Sequence, residues 1–587
     1  GSDSLTGADD GFTVDYSDLG EVVTLQTAGL VQKGAVAGFG QSFSGALGTD
    51  TLGGFDADPA NFVSAKKVIG ALGEANTIDG TSKSGAVNVS VDLTAGTFES
   101  EVVVVAENFP DFLTGITFGF AIENFVNVVG TDNNDFIKGD AQGNTIFGSE
   151  GDDILQAGDA DTAAVDVLDY RTLGVGASVT INPAGRYEKV AADGVTSLGA
   201  DTVGLFTELG LTDFFDLVIA PEDGQSTVNG ANVIGGVEQD ASVTVDLAAG
   251  TVAANATNSD GSIAAPAIFG FDIQNFVNAS GSTNDDILVG DAEANTIFGS
   301  KGDDILQAGD ADTAAVDVLD YRTLGVGASV TINPAGRYEK TAADGVTSLG
   351  ADTVGLFTGL GLTDFFDLVI APEDGQSTVN GTNVIGGVAQ DASVTVNLAA
   401  GTVAANETDP NGAIIGAAFG FDIQNFVNAS GSTNDDILIG DAEDNDLFGN
   451  EGDDDIRGRG GDDVINAGAG QDNVTGGGGV DTFVFDQADA EANAGDGIPS
   501  TFTRVLDFGT DDLVDLTDFG FANLITAGAL FTAADNNTTQ NGVNARLNGD
   551  GTRIVLRTDG DDGGSSIDND EIFARLIIDP NDFLSVA

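Results

Sequence analysis

A nine-residue period of glycine and aspartate, confined to three blocks, constrains the fold of this chain more than any other feature. In the first block it reads Gly130-Thr-Asp-Asn-Asn-Asp135-Phe-Ile137-Lys138, then Gly139-Asp-Ala-Gln-Gly-Asn144-Thr-Ile146-Phe147, then Gly148-Ser-Glu-Gly-Asp-Asp153-Ile-Leu155-Gln156. The second block runs from Gly281 to Gln307, and the third holds six copies, beginning at Gly431, Gly440, Gly449, Gly458, Ala467 and Gly476. A unit of nine has to turn a corner and then lay down a short strand, and glycine supplies the positive φ that the corner demands. The eighth position, as in Ile137, Ile146, Leu155, Ile287, Ile297 and Leu306, is expected to point inward and form an apolar ladder buried by stacked neighbours. The sixth position, Asp or Asn in every copy, is expected to point at the turn.

A longer period of 150 to 151 residues encloses these blocks: Glu123-Asn-Phe-Val-Asn returns from Gln274 and again from Gln424. Residues 157–255 and 308–406 differ at five positions only, Val190/Thr341, Glu208/Gly359, Ala231/Thr382, Glu238/Ala389 and Asp246/Asn397, which indicates recent duplication. The organisation read from this is a divergent first unit (1–129), a nonapeptide block (130–156), a second unit (157–280), a second block (281–307), a third unit (308–430), a third block (431–484) and a C-terminal region (485–587). The expected fold is all-β, a parallel β-solenoid. Ala241 to Leu247 and Ala265 to Ala279 read as further coils, whereas Asp201 to Leu217 spaces its apolar residues as an amphipathic helix does.

Composition narrows the chemistry. Ninety-four acidic residues face 19 basic ones, a net charge of -75, so cations have to offset the self-repulsion. Nucleic acid and anionic membrane surfaces are excluded as partners, since both recognise basic patches. Without a single Cys, His, Met or Trp, the chain has no disulfide, no imidazole or thiolate metal site, no H-E-x-x-H zinc motif and no Ser-His-Asp triad. Oxygen ligands remain, and irregular carbonyl-rich turns suit calcium, which accepts about six to eight oxygens, better than magnesium. The 41% hydrophobic content suffices for a continuous core, while the strongest apolar run, Val102 to Ala106, is closed by Glu101 and Glu107, so no membrane insertion is expected. A solvated acidic face is the plain alternative for the Asp residues, but twelve copies in one register favour a metal. Leu168-Asp169-Tyr170, its counterpart Leu319-Asp320-Tyr321 and the Phe-rich stretches read as core packing, and no function is assigned to them.

The nonapeptides resemble the G-G-x-G-x-D-x-U-x repeats of RTX proteins. The resemblance implies a parallel β-roll with two nonapeptides per coil and calcium at the corners. Sixth-position residues eighteen apart then share an edge: Asp135 with Asp153, Asp286 with Asp304, Asp436 with Asp454, Asn445 with Asp463, Asp454 with Asp472, and Asp463 with Asp481. A copy stretched by four residues after Ala160 places Asp166 opposite Asn144 and, one unit on, Asp317 opposite Asn295. These fourteen side chains are the expected calcium ligands, completed by turn carbonyls. The copies at Gly139, Gly290 and Gly440 depart from the pattern with Asp at position 2 and Asn at position 6, and weaker sites are expected there. Thr503 to Phe508 and Asp512 to Leu516 resemble the strands that close such a roll. Ile567 to Ala587 is similar to C-terminal signals of type I secretion, and Gly1 to Asp10 has neither the basic nor the apolar region of a secretory signal.

Function follows as an expectation. The chain is similar to bacterial S-layer proteins and to the fibril-forming surface protein of gliding cyanobacteria. The resemblance implies a secreted, non-enzymatic cell-surface protein whose main partner is itself, as a homopolymer in a layer or filament, with cell-surface polysaccharide as a further partner. An RTX adhesin or biofilm matrix protein with a calcium-stiffened stalk is the alternative. Paired carboxylates suffice in principle for glycoside hydrolysis, but nothing in the sequence singles out a pair.

Overall fold

In the computed structural model the described residues are 4–5, 12–19, 21–26, 30–33, 48–52, 65–80, 87–104, 114–158, 164–182, 185–207, 210–212, 214–230, 233–234, 237–238, 242–258, 261–309, 315–333, 336–358, 361–363, 366–381, 384–385, 388–389, 393–408, 414–486, 502–521, 523–526, 529, 539–540, 543–547, 553–558 and 572–578. The chain divides into two units, Gly1–Asn295 and Thr296–Ala587. Each nonapeptide contributes a strand of about three residues, too short to stand alone, and becomes stable only by pairing with the coil before and the coil after it. The fold is accordingly all-β and built on parallel stacks.

In the first unit Phe136–Lys138 lies between Val87–Asp92 and Ile154–Gln156, while Thr145–Phe147 lies between Asn127–Val129 and Val167–Asp169, all in parallel. Phe136 pairs with Ile154, eighteen residues on, as two nonapeptides per coil require. Thr145 pairs with Val167, four residues further than that, so the stretched coil keeps its register. In the second unit the six-copy block forms two interleaved stacks. One runs Ile437–Ile439, Asp455–Gly460, Asn473–Gly478 and Thr503–Phe508; the other runs Asn428–Ser430, Asp446–Phe448, Val464–Asn466, Thr482–Val484 and Leu513–Asp515.

Side chains alternate across a strand, so one residue of each tripeptide enters the core and its neighbours face out. Ile137, Ile146, Leu155, Ile297, Leu306, Leu438, Leu447 and Ile456, all eighth positions, are fully buried. Ile287 is a correction: it occupies the seventh position of its copy and is half-buried, whereas Leu288 beside it fills the core. The fourth-position glycines are set by the backbone of the neighbouring coil. Gly452 has φ 120°, and a Cβ there would stand 2.3 Å from the Asn434 carbonyl oxygen.

Two expectations change on the segments between blocks. Ser242–Asp246, Thr251–Thr257 and Ile263–Gln274 form an antiparallel meander instead of successive simple coils. Its outer strands still join the solenoid, Thr244–Asp246 pairing in parallel with Ile287–Val289, and Asp272–Gln274 with Leu217–Ile219. The middle strand is therefore an insertion that leaves the stack intact. Equivalent meanders occur at Val87–Asp92, Thr97–Val104 and Thr114–Glu123, and at Ser393–Asn397, Thr402–Thr408 and Ile414–Gln424. The helix expected over residues 201–217 is also overturned: the segment is built from the end of Ser197–Val203, a hairpin of Leu205–Thr207 with Gly210–Thr212, and the start of Leu217–Ile219. Ser197–Val203 belongs to another meander, with Ser178–Ile181 and Arg186–Val190, and its counterpart recurs at Ser329–Ile332, Arg337–Thr341 and Ser348–Val354.

At the C-terminal end Thr503–Phe508 and Leu513–Asp515 extend the two stacks, and Ile572–Ile578 pairs in parallel with Thr503–Phe508. The rest of the tail segment 567–587 lies outside the described residues. Among the described residues no helix is long and apolar enough to cross a membrane.

The alternation predicts unequal responses from two isoleucines. Ile456→Ala, at a fully buried eighth position, is expected to cost about 2–5 kcal/mol in denaturant unfolding. Ile305→Ala, at a 40% exposed seventh position, is expected to stay within about 1 kcal/mol of the parent chain, and equal losses at both sites would contradict the register.

Candidate metal centre

The sixth position precedes the eighth by two residues, so in a strand-like backbone both enter the same side of the chain. The structure places the sixth-position side chains accordingly, buried, and directed at the turn as the sequence suggested: Asp135 Oδ2 accepts the Thr131 N–H, and Asp454 Oδ2 lies against Gly449. One carboxylate oxygen of each accepts a hydrogen bond from the backbone N–H at the sixth position of the preceding coil. Asp153 Oδ1 accepts from Asp135 N at 2.9 Å, Asp166 Oδ1 from Asn144 N at 2.8 Å, and Asp454 Oδ1 from Asp436 N at 2.8 Å. Asp463 Oδ1 accepts from Asn445 N at 2.9 Å, Asp472 Oδ1 from Asp454 N at 3.2 Å, and Asp481 Oδ1 from Asp463 N at 3.1 Å. Val89, Val243 and Val394 donate in the same way to Asp135, Asp286 and Asp436. Five of the expected pairs eighteen residues apart, and the stretched pair Asn144–Asp166, thus come together. Asp286 and Asn295 belong to the first unit, and Asp304 and Asp317 to the second.

The stacks also contain acids that the sequence reading missed. Asp153 N donates to Asp201 Oδ1, Asp166 N to Asp216 Oδ2, Asp304 N to Asp352 Oδ1, Asp317 N to Asp367 Oδ2 and Asp481 N to Asp512 Oδ1. A signal for them exists: Asp201-Thr-Val203, Asp216-Leu-Val218 and Asp512-Leu-Val514 repeat the acid-x-apolar spacing of positions 6 to 8 without the glycines.

The second oxygen of each carboxylate meets different surroundings. Asp135, Asp286 and Asp436 are capped by the second-position residue, Thr131, Ser282 or Ser432, through its backbone N–H and hydroxyl. Asn144, Asn295 and Asn445 accept the N–H of Asp140, Asp291 and Asp441, and each donates its own amide to a carbonyl of the previous coil, Val126, Val277 or Val427. Asp153 Oδ2 lies 3.4 Å from the ammonium of Lys189, which is wholly buried, and Asp304 Oδ2 lies 3.2 Å from that of Lys340. The same ammonium groups pair with Asp201 and Asp352, whose other oxygens accept from the buried Tyr170 and Tyr321 hydroxyls at 2.6 and 2.7 Å. The two tyrosines are core residues, as their sequence context suggests. Asp472 Oδ2 accepts from Thr503 Oγ1 at 2.9 Å. Two oxygens differ from all of these: Asp454 Oδ2 and Asp463 Oδ2 are buried and have no hydrogen-bond partner.

Burial shows in the acidities. Loss of solvent pushes Asp454 up to about 9, with the Asp436 and Asp472 charges adding to the effect. Burial likewise raises Asp463 to about 6, Asp472 to about 7 and Asp481 to about 7, each against hydrogen bonds that act in the opposite direction. Asp135 and Asp436 stand at about 6 for the same reason, and burial together with the Asp201 charge raises Asp153 against the pull of Lys189.

The donor set around the two unpaired oxygens fits a hard cation. A Cβ on Gly449 would stand 2.3 Å from Asp454 Oδ2 and 2.3 Å from the Ala467 carbonyl oxygen; on Gly458 it would stand 2.2 Å from Asp463 Oδ2 and 2.5 Å from the Gly476 carbonyl oxygen. A carboxylate oxygen and a carbonyl oxygen of the next coil therefore crowd the same glycine, which alone among residues leaves room for them. Among the described residues no three acidic side chains converge on one point, so any ion here takes most of its ligands from the backbone.

The model of the RTX calcium-binding nonapeptide repeat (4 copies) matches residues 129–161, 280–312, 430–465 and 448–483. Among solved structures, the chain is similar to the AlgE6R3 subunit of the mannuronan C5-epimerase of Azotobacter vinelandii, at 26% identity over 26% of this chain and 74% of that one, with a TM-score of 0.17. No curated protein matches. The three glycine-aspartate blocks of this all-β chain are RTX calcium-binding nonapeptide repeats.

Proposed function

We propose that the chain is a secreted structural protein of a bacterial surface, stiffened by calcium and assembling with copies of itself into a layer or filament. The observation that carries the calcium part is the pair of buried, unpartnered oxygens, Asp454 Oδ2 and Asp463 Oδ2, at glycine corners crowded by carbonyl oxygens. An isolated buried carboxylate is strongly unfavourable, and a divalent cation offsets both its charge and its missing hydrogen bonds. Asp436, Asp472 and Asp481 lie in the same stacks and supply further oxygens. Asp135, Asn144, Asp153, Asp166, Asp286, Asn295, Asp304, Asp317 and Asn445 occupy the corresponding places in their own coils.

Assembly is supported by repetition and by exposed apolar residues on the inserted meanders and on the segments that lead into them. Val175 and Val195 are 67% and 85% exposed in the first unit, and their counterparts Val326 and Val346 are 69% and 86% exposed in the second. The absence of His and Cys from the sequence fits a structural role, and calcium between chains would offset the repulsion of surfaces this acidic. Electron microscopy and sedimentation of the full chain are expected to show assemblies in millimolar calcium that dissolve on chelation. A chain that stays monomeric with calcium present would rule the assembly out.

The raised pKa values fix the sign of a pH effect. In the metal-free chain Asp454, Asp463, Asp472 and Asp481 hold their protons more tightly when folded than when unfolded. Their contribution is therefore fully favourable below about pH 4, where both states are protonated, and is lost as pH rises through about 6 to 9. Metal-free protein prepared by dialysis is expected to melt at a lower temperature at pH 8 than at pH 5. With calcium the order reverses, because the metal displaces those protons and binds better as pH rises. A metal-free melting temperature that is flat across this range would contradict the burial of these carboxylates.

A further inference from the structure

We propose that Lys189 and Lys340 are resident cations that stand where calcium would bind, so that the calcium requirement of the nonapeptide blocks is concentrated in the third block at Asp454 and Asp463. The inference rests on the calcium reading above and sharpens it. The long repeat provides the comparison, because Asp153, Asp304 and Asp454 hold the same place, the sixth position of the third copy in their blocks. After Asp153 and Asp304 the chain leaves the nine-residue pattern and inserts a meander; after Asp454 it continues with further nonapeptides.

Each meander returns a lysine to the corner. Arg186–Val190 alternates exposed and buried side chains, which brings Tyr187 and Lys189 to the inner face, and Arg337–Thr341 does the same with Tyr338 and Lys340. The Lys189 ammonium donates to the Ser149 carbonyl oxygen at 2.6 Å, and it contacts Asp153 Oδ2 and Asp201 Oδ1. One turn carbonyl and the carboxylates of two successive coils are the kind of oxygen set that a calcium ion takes. The ammonium already fills it. The Ser149 and Ser300 hydroxyls supplement it, at 3.3 Å from Asp153 Oδ2 and 3.0 Å from Asp304 Oδ2. In the third block the residue aligned with these serines is Asn450, whose amide donates to Ser430 Oγ and the Gly431 carbonyl instead, and Asp454 Oδ2 is left with no partner.

The remaining corners are supplied from the chain as well. Thr131 and Ser282 cap Asp135 and Asp286, and the Asn side chains at 144 and 295 carry their own N–H donors to the carbonyls of Val126 and Val277. In the first two blocks the second oxygen or the amide therefore finds protein partners at each of these corners, and in the third block two such oxygens do not.

The test is calcium stoichiometry of the full-length protein, measured by elemental analysis after equilibrium dialysis, in three forms. Asn already stands at the sixth position in Asn144, Asn295 and Asn445, so Asp→Asn at this position suits the fold. The pair Asp454→Asn and Asp463→Asn is expected to bind fewer ions than the parent, by at least one. The pair Asp153→Asn and Asp304→Asn is expected to bind as many as the parent. In a third form, Lys189→Ser with Lys340→Ser, removal of the ammonium is expected to add bound calcium and to make the first block sensitive to chelator in amide hydrogen exchange. Equal losses in the two Asp→Asn pairs would overturn the inference while leaving the calcium reading intact, whereas a parent chain without bound calcium would overturn both. Should the lysine variants not fold, the contrast between the two Asp→Asn pairs still decides.

Discussion

The fold depends on a buried carboxylate oxygen that accepts the backbone N–H of the coil before it. At each corner the sixth-position N–H lies just ahead of a three-residue strand, and a buried N–H has to find an acceptor. The side chain of the next coil provides one, and in doing so locks the vertical register to the same residue in every turn. The arrangement has a cost. Strands in a sheet are spaced by about 4.8 Å, so ionised neighbours in a stack repel each other by about 3–4 kcal/mol at an effective dielectric of about 20. Asp436, Asp454 and Asp472 form such a run, and the acidity of the middle member is displaced furthest. Each coil therefore needs a local answer to a charge that its own hydrogen bonding created.

The answers observed are a hydroxyl cap at Thr131, an amide at Asn144, an ammonium at Lys189 and an unpaired oxygen at Asp454. They differ in what they need from the surroundings. The first three are written into the chain and operate in any solvent. The last finds no hydrogen-bond partner within the chain. Removing one partner of a buried ion pair typically costs about 3–5 kcal/mol, so Lys189 and Lys340 are as necessary to their coils as a metal would be.

Much of this was legible in the sequence, and what was not has physical reasons. The nine-residue count located Asp135, Asp153, Asp436, Asp454, Asp463, Asp472 and Asp481 and paired them correctly, because stacking makes sequence separation and spatial adjacency equivalent. The stretched coil at Asp166 survived the same reasoning, since the acid-x-apolar spacing persists where the glycines do not. The inserted meanders broke the count. Their strands pair antiparallel, so residues distant by no fixed interval become neighbours, and Lys189 reaches Ser149 across forty residues. Position 6 meets the turn, as expected, and is buried there as well. Its separation of two residues from the buried eighth position places it inside. The mistaken helix over 201–217 has its own origin: short hairpin strands with turns between them put apolar residues at intervals of two to four, which imitates helical spacing.

Where the neutralising charge is covalent, the coil carries its cation at a fixed distance whatever the solution contains. Free calcium competes only when its concentration approaches the dissociation constant, about 10⁻⁴ to 10⁻³ M for extracellular modules. On the proposed reading, a chain whose first two blocks are sealed by lysine, hydroxyl and amide, and whose third block leaves two oxygens unpaired, combines calcium-independent coils with calcium-responsive ones under the same nine-residue rule. The responsive coils adjoin Thr503–Phe508 and Leu513–Asp515, which continue their two stacks directly. Thr503 Oγ1 donates to Asp472 Oδ2 and Asp512 Oδ1 accepts the Asp481 N–H, so the C-terminal strands continue the stacks that hold Asp454 and Asp463.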